Sequence, residues 1–152
     1  MTENIDPRPL YRLAVAQTEA TVAAVELSQL GLPTPCPEYD VRPDDGWPAA
    51  YRTAAARAIV AWADDAKLDA LVEVPWGKVP GRIALSGYVQ EVLAHGWDLA
   101  QATGQPTEGD PELANWALAI SRRILPPEIR GQEGVPFGSV VEVPADAGPT
   151  SS

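Results

Sequence analysis

The 152-residue chain holds 21 acidic and 11 basic side chains, a formal net charge of −10, and 45% apolar residues. That is enough apolar material for a core and too much for a disordered chain, so a single domain over residues 1–152 is expected. With only two lysines, Lys67 and Lys78, and a large acid excess, no basic face can be assembled, which argues against nucleic acid and anionic membrane surfaces as partners.

No apolar run reaches the roughly 18 residues of a membrane span. The opening Met-Thr-Glu-Asn-Ile-Asp lacks the basic and apolar regions of a secretory signal. Cys36 is the one cysteine, so no internal disulfide can form, and a cytoplasmic location is expected. Nothing in the pattern sets an oligomeric state.

The first helix is expected over residues 9–30. Asp6 can cap it, Pro7 or Pro9 suits its first turn, and Leu10, Leu13, Ala14, Ala20, Ala24 and Leu27 mark a buried stripe. Gly31 and Pro33 would end it. The run Pro33-Thr34-Pro35-Cys36-Pro37-Glu38-Tyr39-Asp40-Val41 reads as a loop stiffened by three prolines. Asp40 looks like an N-cap, yet Arg42-Pro43-Asp44-Asp45-Gly46 follows with turn chemistry and no helix.

A helix should then run over residues 48–63, with Tyr51, Ala54, Ala55, Ala58, Ile59 and Trp62 as its apolar face, stopping at Asp64 and Asp65. Residues 68–71 could add a turn. Residues 72–81 alternate like a strand but hold two prolines and two glycines, so they read as a loop or weak hairpin. The central helix is expected over residues 83–102, closed by Gly104. Asp110-Pro111 caps and opens a last helix through Leu113, Trp116, Ala117 and Ile120, ending before Pro126-Pro127. Residues 137–144 read as a short strand, and the tail from residue 145 as frayed.

The central helix carries the chemistry. His95 is the only histidine of the chain; Glu91 precedes it by four residues and Asp98 follows by three. On a helix these three share one stripe. Val89, Val92, Leu93, Leu99 and Ala100 predict that much of the helix is buried. Polar groups inside a bundle must be paired or bound to a metal, so an inward aim for Glu91 and His95 is expected. An ordinary Glu91–His95 hydrogen-bonded pair accounts for the same spacing. Cys36 reads as a small buried hydrophobe, with no base or cation in sequence to activate it. Trp47, Trp62, Trp76, Trp97 and Trp116 read as anchors of core or loops; Trp76 and Trp97 are candidates for lining a pocket near the metal helix. No P-loop, Rossmann glycine pattern or nucleophile elbow is present.

Three segments taken together resemble one family: the proline-rich run ending in Glu38-Tyr39-Asp40-Val41; the run Glu91-Val92-Leu93-Ala94-His95-Gly96-Trp97-Asp98-Leu99-Ala100 followed by Thr103-Gly104; and Phe137-Gly138 with Val143-Pro144-Ala145-Asp146-Ala147. The resemblance is to the metal-binding domain of the mycothiol-dependent maleylpyruvate isomerase type, among DinB/YfiT-like helical bundles. It implies an all-α bundle with a short C-terminal β element. It also implies a divalent metal, usually zinc, held by a histidine on the second helix together with the Glu and His that match Glu91 and His95. Two readings of Asp98 stand side by side: it orients His95 from behind, or it is a plain surface acid or helix hydrogen-bonder.

The implied activity is a metal-dependent isomerisation or thiol transfer on a small molecule, with a low-molecular-weight thiol such as mycothiol as co-substrate. This chain departs from the pattern between Arg42 and Pro43, where the second helix and its histidine should lie. Either residues fall there in the natural protein, or the chain is a deletion variant. As it stands two of three implied ligands are present. The rival expectation is a non-catalytic bundle that binds a metal, a small ligand or a partner.

Overall fold

A computed structural model describes residues 5–35, 46–135 and 137–148. Cys36, Asp40 and the Arg42–Pro43 junction lie outside the described residues. Among the described residues the chain is mostly helical, with one small antiparallel sheet. It divides into two compact units, Met1–Thr107 and Glu108–Ser152.

In the first unit, helix α1 spans Arg8–Ala23. Asp6 accepts the Arg8 backbone N–H, one of the orphan donors of the first turn. The helix ends well short of the expected residue 30. A separate 3-10 turn, Leu27–Gln29, follows, because Glu26 and Gln29 close on each other as a reciprocal capping box. The buried stripe is also rotated from the expected one. Ala14, Val15, Thr18 and Val22 are buried, whereas Leu13 and Leu27 are 51% and 77% exposed; Ala20 and Ala24 are exposed too.

The reason lies in how α1 meets its neighbours. Helix α4, Gly81–Thr103, runs parallel to α1. Arg82 donates to the Ile5 carbonyl, Thr18 to that of Val92, and Gln105 to that of Thr21, so partners advance in the same direction along both segments. Thr18 sits against Gly96, where an added Cβ would meet its Oγ1 at 2.5 Å. This close approach sets the face that α1 turns inward.

Helix α2, Trp47–Ala61, runs antiparallel to α1. Arg52 pairs with Glu19 at 3.1 Å near one end, and Arg8 donates to the Ala63 carbonyl and pairs with Asp65 near the other. The expected face of α2 is the correct one, but it is only half-covered. Tyr51, Ala55, Ala58, Ile59 and Trp62 are intermediate, Ala54 is exposed, and no residue of α2 is buried.

A single turn, α3 (Ala66–Asp69), leads into strands β1 (Leu71–Val74) and β2 (Gly77–Pro80). They form the hairpin that the alternation suggested, with Val74 opposite Gly77. Gly77, at φ +139°, supplies a conformation that side chains rarely adopt. Helix α4 then ends at Gly104 in the left-handed region, φ +66°.

In the second unit, α5 spans Pro111–Ile124. The Asp110 side chain accepts the Leu113 N–H at 2.9 Å, as its position predicted. Leu113, Ala114 and Ala117 are buried. The expected strand at residues 137–144 is not formed: the one sheet among the described residues is β1–β2. Lacking a ladder, Val140 and Val141 are 51% and 78% exposed. Phe137 and Gly138 instead give their carbonyls to Gly131 and Arg130. Within residues 145–148 the Ala147 N–H donates to the Pro144 carbonyl in a turn.

Candidate metal-binding stripe on helix α4

Alternating apolar and small residues place Leu85, Val89, Gly96 and Ala100 on the buried side of α4. Glu91, His95 and Asp98 fall on its flank. The Glu91 and His95 heads converge as the four-residue spacing requires, with Glu91 Oε2 at 3.4 Å from His95 Nε2. Asp98 Oδ2 stands 3.8 Å from the other ring nitrogen, Nδ1. The imidazole is thus bracketed by two carboxylates, one facing each nitrogen.

The depth differs from expectation. Glu91 and His95 side chains are 53% and 62% exposed, so their heads lie open to solvent rather than in the middle of the helices. The buried side of α4 is already filled by its contact with α1, which leaves the flank at the surface. Asp98, at 23% exposure, is the most covered of the three. Burial pushes its carboxyl above the ordinary value, and the neighbouring His95 partly offsets this.

A divalent metal could take His95 Nε2 and a Glu91 oxygen, with Asp98 accepting the Nδ1 proton. That is the carboxylate–histidine–metal order found around many bound metals. Among the described residues no group of three or more His, Cys, Asp or Glu side chains converges in a ligand arrangement. Glu91 and His95 offer two donors, short of the three protein ligands typical of catalytic zinc.

Trp76 lies at the tip of the hairpin, against Gly87 and Tyr88, about one turn of α4 before Glu91. Trp97 stands two residues past His95, about 200° around the helix, so it does not share that flank. Sequence reasoning passed over Thr18 and Tyr88, and read Tyr51 only as part of the apolar face of α2. The Thr18 hydroxyl donates to the Val92 carbonyl, between Glu91 and His95 in the sequence. Burial raises the Tyr51 phenol, and the nearby Thr18 hydroxyl opposes the rise. Mid-helix glycines at 87 and 96 were the available signal, because a glycine within a helical pattern often marks a close approach.

No family model and no solved structure matches the chain. Uncharacterized proteins from two strains of Mycobacterium tuberculosis are each 34% identical to it, over 95% of this chain and 93% of theirs. The chain belongs to the family of these mycobacterial proteins. The matched stretch spans 171 positions, more than the 152 residues of the chain. These relatives therefore hold residues for which the chain has no counterpart.

Proposed function

We propose that this protein is a divalent-metal-binding helical bundle of the DinB/YfiT type, with Glu91 and His95 as its metal ligands and Asp98 as the residue that orients His95. The observation that carries the reading is the bracketed imidazole: Nε2 toward one carboxylate, Nδ1 toward the other. With a metal bound, Asp98 on the Nδ1 side would orient the ring so that Nε2 faces the metal beside Glu91. When bound, zinc would acidify a thiol or water held beside it, which is the chemistry that isomerisation or thiol transfer with a low-molecular-weight thiol such as mycothiol needs. Exposure of the pair leaves room for such a ligand to approach. The resemblance puts a third ligand on a helix that this chain lacks.

The test is a titration of the metal-free protein with zinc or cobalt. One ion per chain is expected, lost in both Glu91→Ala and His95→Ala, and bound about tenfold more weakly in Asp98→Ala. No binding at pH 7, or binding unchanged in both ligand variants, overturns the assignment.

The exposure of both heads favours a second reading, a non-catalytic bundle whose Glu91–His95 pair is an ordinary surface interaction. A protein that binds no metal at any pH, and folds unchanged in Glu91→Ala and His95→Ala, belongs to that reading.

A further inference from the structure

Helices α2 and α4 each pack along α1, and among the described residues they hardly meet each other. The inward face of α2 shows the result, since Tyr51, Ala55, Ala58 and Ile59 are only half-covered. A cleft is left between the two helices, with α1 as its floor. One end is shut by the Trp62 indole, which packs so closely on the start of α4 that a Cβ on Gly81 would come within 2.9 Å of it.

Three phenols converge on this cleft, one from each helix. Tyr11 on α1 stands seven residues, about two turns, before Thr18, on the stripe that meets α4. It lies near enough to feel Tyr88 of α4, and Tyr51 of α2 feels it in turn. The Tyr88 ring tilts against Trp76, with centroids 6.0 Å apart and planes at 59°, and stays 38% exposed. Burial pushes the Tyr11 and Tyr51 phenols up, so both keep their protons at neutral pH. Among the described residues neither Tyr11 nor Tyr88 spends its hydroxyl on a protein hydrogen bond. The turn of α1 that follows Tyr11 is apolar, with Ala14 and Val15 buried.

Two unspent donors beside apolar surface suit a hydrogen-bond acceptor on an apolar body. The surroundings disfavour an anion: Glu91 stands three residues past Tyr88, and Arg52 is already paired with Glu19 at 3.1 Å. The shut end bars a helix, about 10 Å across, from running through the cleft, so the occupant is short. We propose that the cleft between α2 and α4 binds a small uncharged molecule with a ring-sized apolar body and a carbonyl group, which accepts hydrogen bonds from Tyr11 and Tyr88. The site needs no metal on Glu91 or His95 and stands or falls apart from the metal-binding reading.

The experiment titrates the full chain, in excess chelator, with acetophenone, ethylbenzene, benzoate or benzylammonium, and follows backbone amides by NMR. Acetophenone should shift the amides around Tyr11, Tyr51 and Tyr88 and bind about fivefold more tightly than ethylbenzene, a difference of the size one hydrogen bond supplies. Both charged probes should bind more weakly than acetophenone. The double variant Tyr11→Phe/Tyr88→Phe keeps the rings and removes the donors, so it should hold acetophenone no better than ethylbenzene while its circular dichroism spectrum stays unchanged. Tyr88→Phe alone, with a reduced preference, serves if the double variant does not fold. No binding, shifts centred elsewhere, a charged probe that binds best, or an undiminished preference in the folded variant overturns the proposal.

Discussion

At the scale of single residues, the crossing of α1 and α4 turns on one contact. A methyl group at Gly96 would meet Thr18 Oγ1 at 2.5 Å and the Thr18 Cβ and Cγ2 at 3.3 Å. Gly96→Ala should cost about 1–3 kcal/mol by overpacking, read from the denaturation midpoint. Adding Thr18→Ala removes Oγ1 and Cγ2 and should recover part of that loss, a coupling that a double-mutant cycle measures.

Asp98 gives a pH-dependent counterpart. Its folded-state carboxyl is raised above the ordinary 3.8 by burial, so ionising it disfavours the fold. The penalty is absent below the unfolded value, grows as pH rises through the interval, and is complete above the folded value. Asp98→Asn should therefore raise the melting temperature of the metal-free protein at pH 7. That gain should vanish as the pH falls below 3.8; a gain independent of pH would point to packing instead.

At the scale of elements, the caps are the most direct handles. Asp110 accepts the Leu113 N–H, and Asp110→Ala should destabilise the second unit by about 1 kcal/mol, read by hydrogen exchange in α5. This cap was legible because an Asp followed by Pro opens a helix in a purely local way. The same local chemistry pointed to the opening of α2 beside Pro48, one residue after its observed start at Trp47, to the end of α4 at Gly104, and to the hairpin as one of two readings.

The misjudged parts have several causes. The end of α1 at Ala23 has no glycine or proline to announce it and follows from the Glu26–Gln29 box. The inward face of α1 follows from Thr18 meeting Gly96, a contact between residues far apart in sequence. A run of valines at 140, 141 and 143 has the composition of a strand but forms none among the described residues. For the site, the four- and three-residue spacings foretold that Glu91, His95 and Asp98 would meet. How deep they would lie depended on which side of α4 the contact with α1 would take.

At the scale of the whole molecule, no helix among the described residues is long and apolar enough to cross a membrane. The chain divides at Thr107 and Glu108, inside a stretch without helix or strand between Gly104 and Pro111. Glu108 is exposed there. A glutamate-specific protease should cut the native protein at Glu108 before it cuts at Glu91 within α4, and mass spectrometry of early fragments checks the order.

The parallel pairing of α1 with α4 also governs when the protein can take shape. Thr18 finds its partner 74 residues later, at Val92, and Thr21 finds its partner 84 residues later, at Gln105. A long loop must close before these contacts reward it, which slows folding relative to a bundle of adjacent hairpins. During synthesis Val15 and Val22 of α1 have no cover from α4 until the ribosome has passed residue 105, so the emerging chain shows an apolar strip that a chaperone could hold.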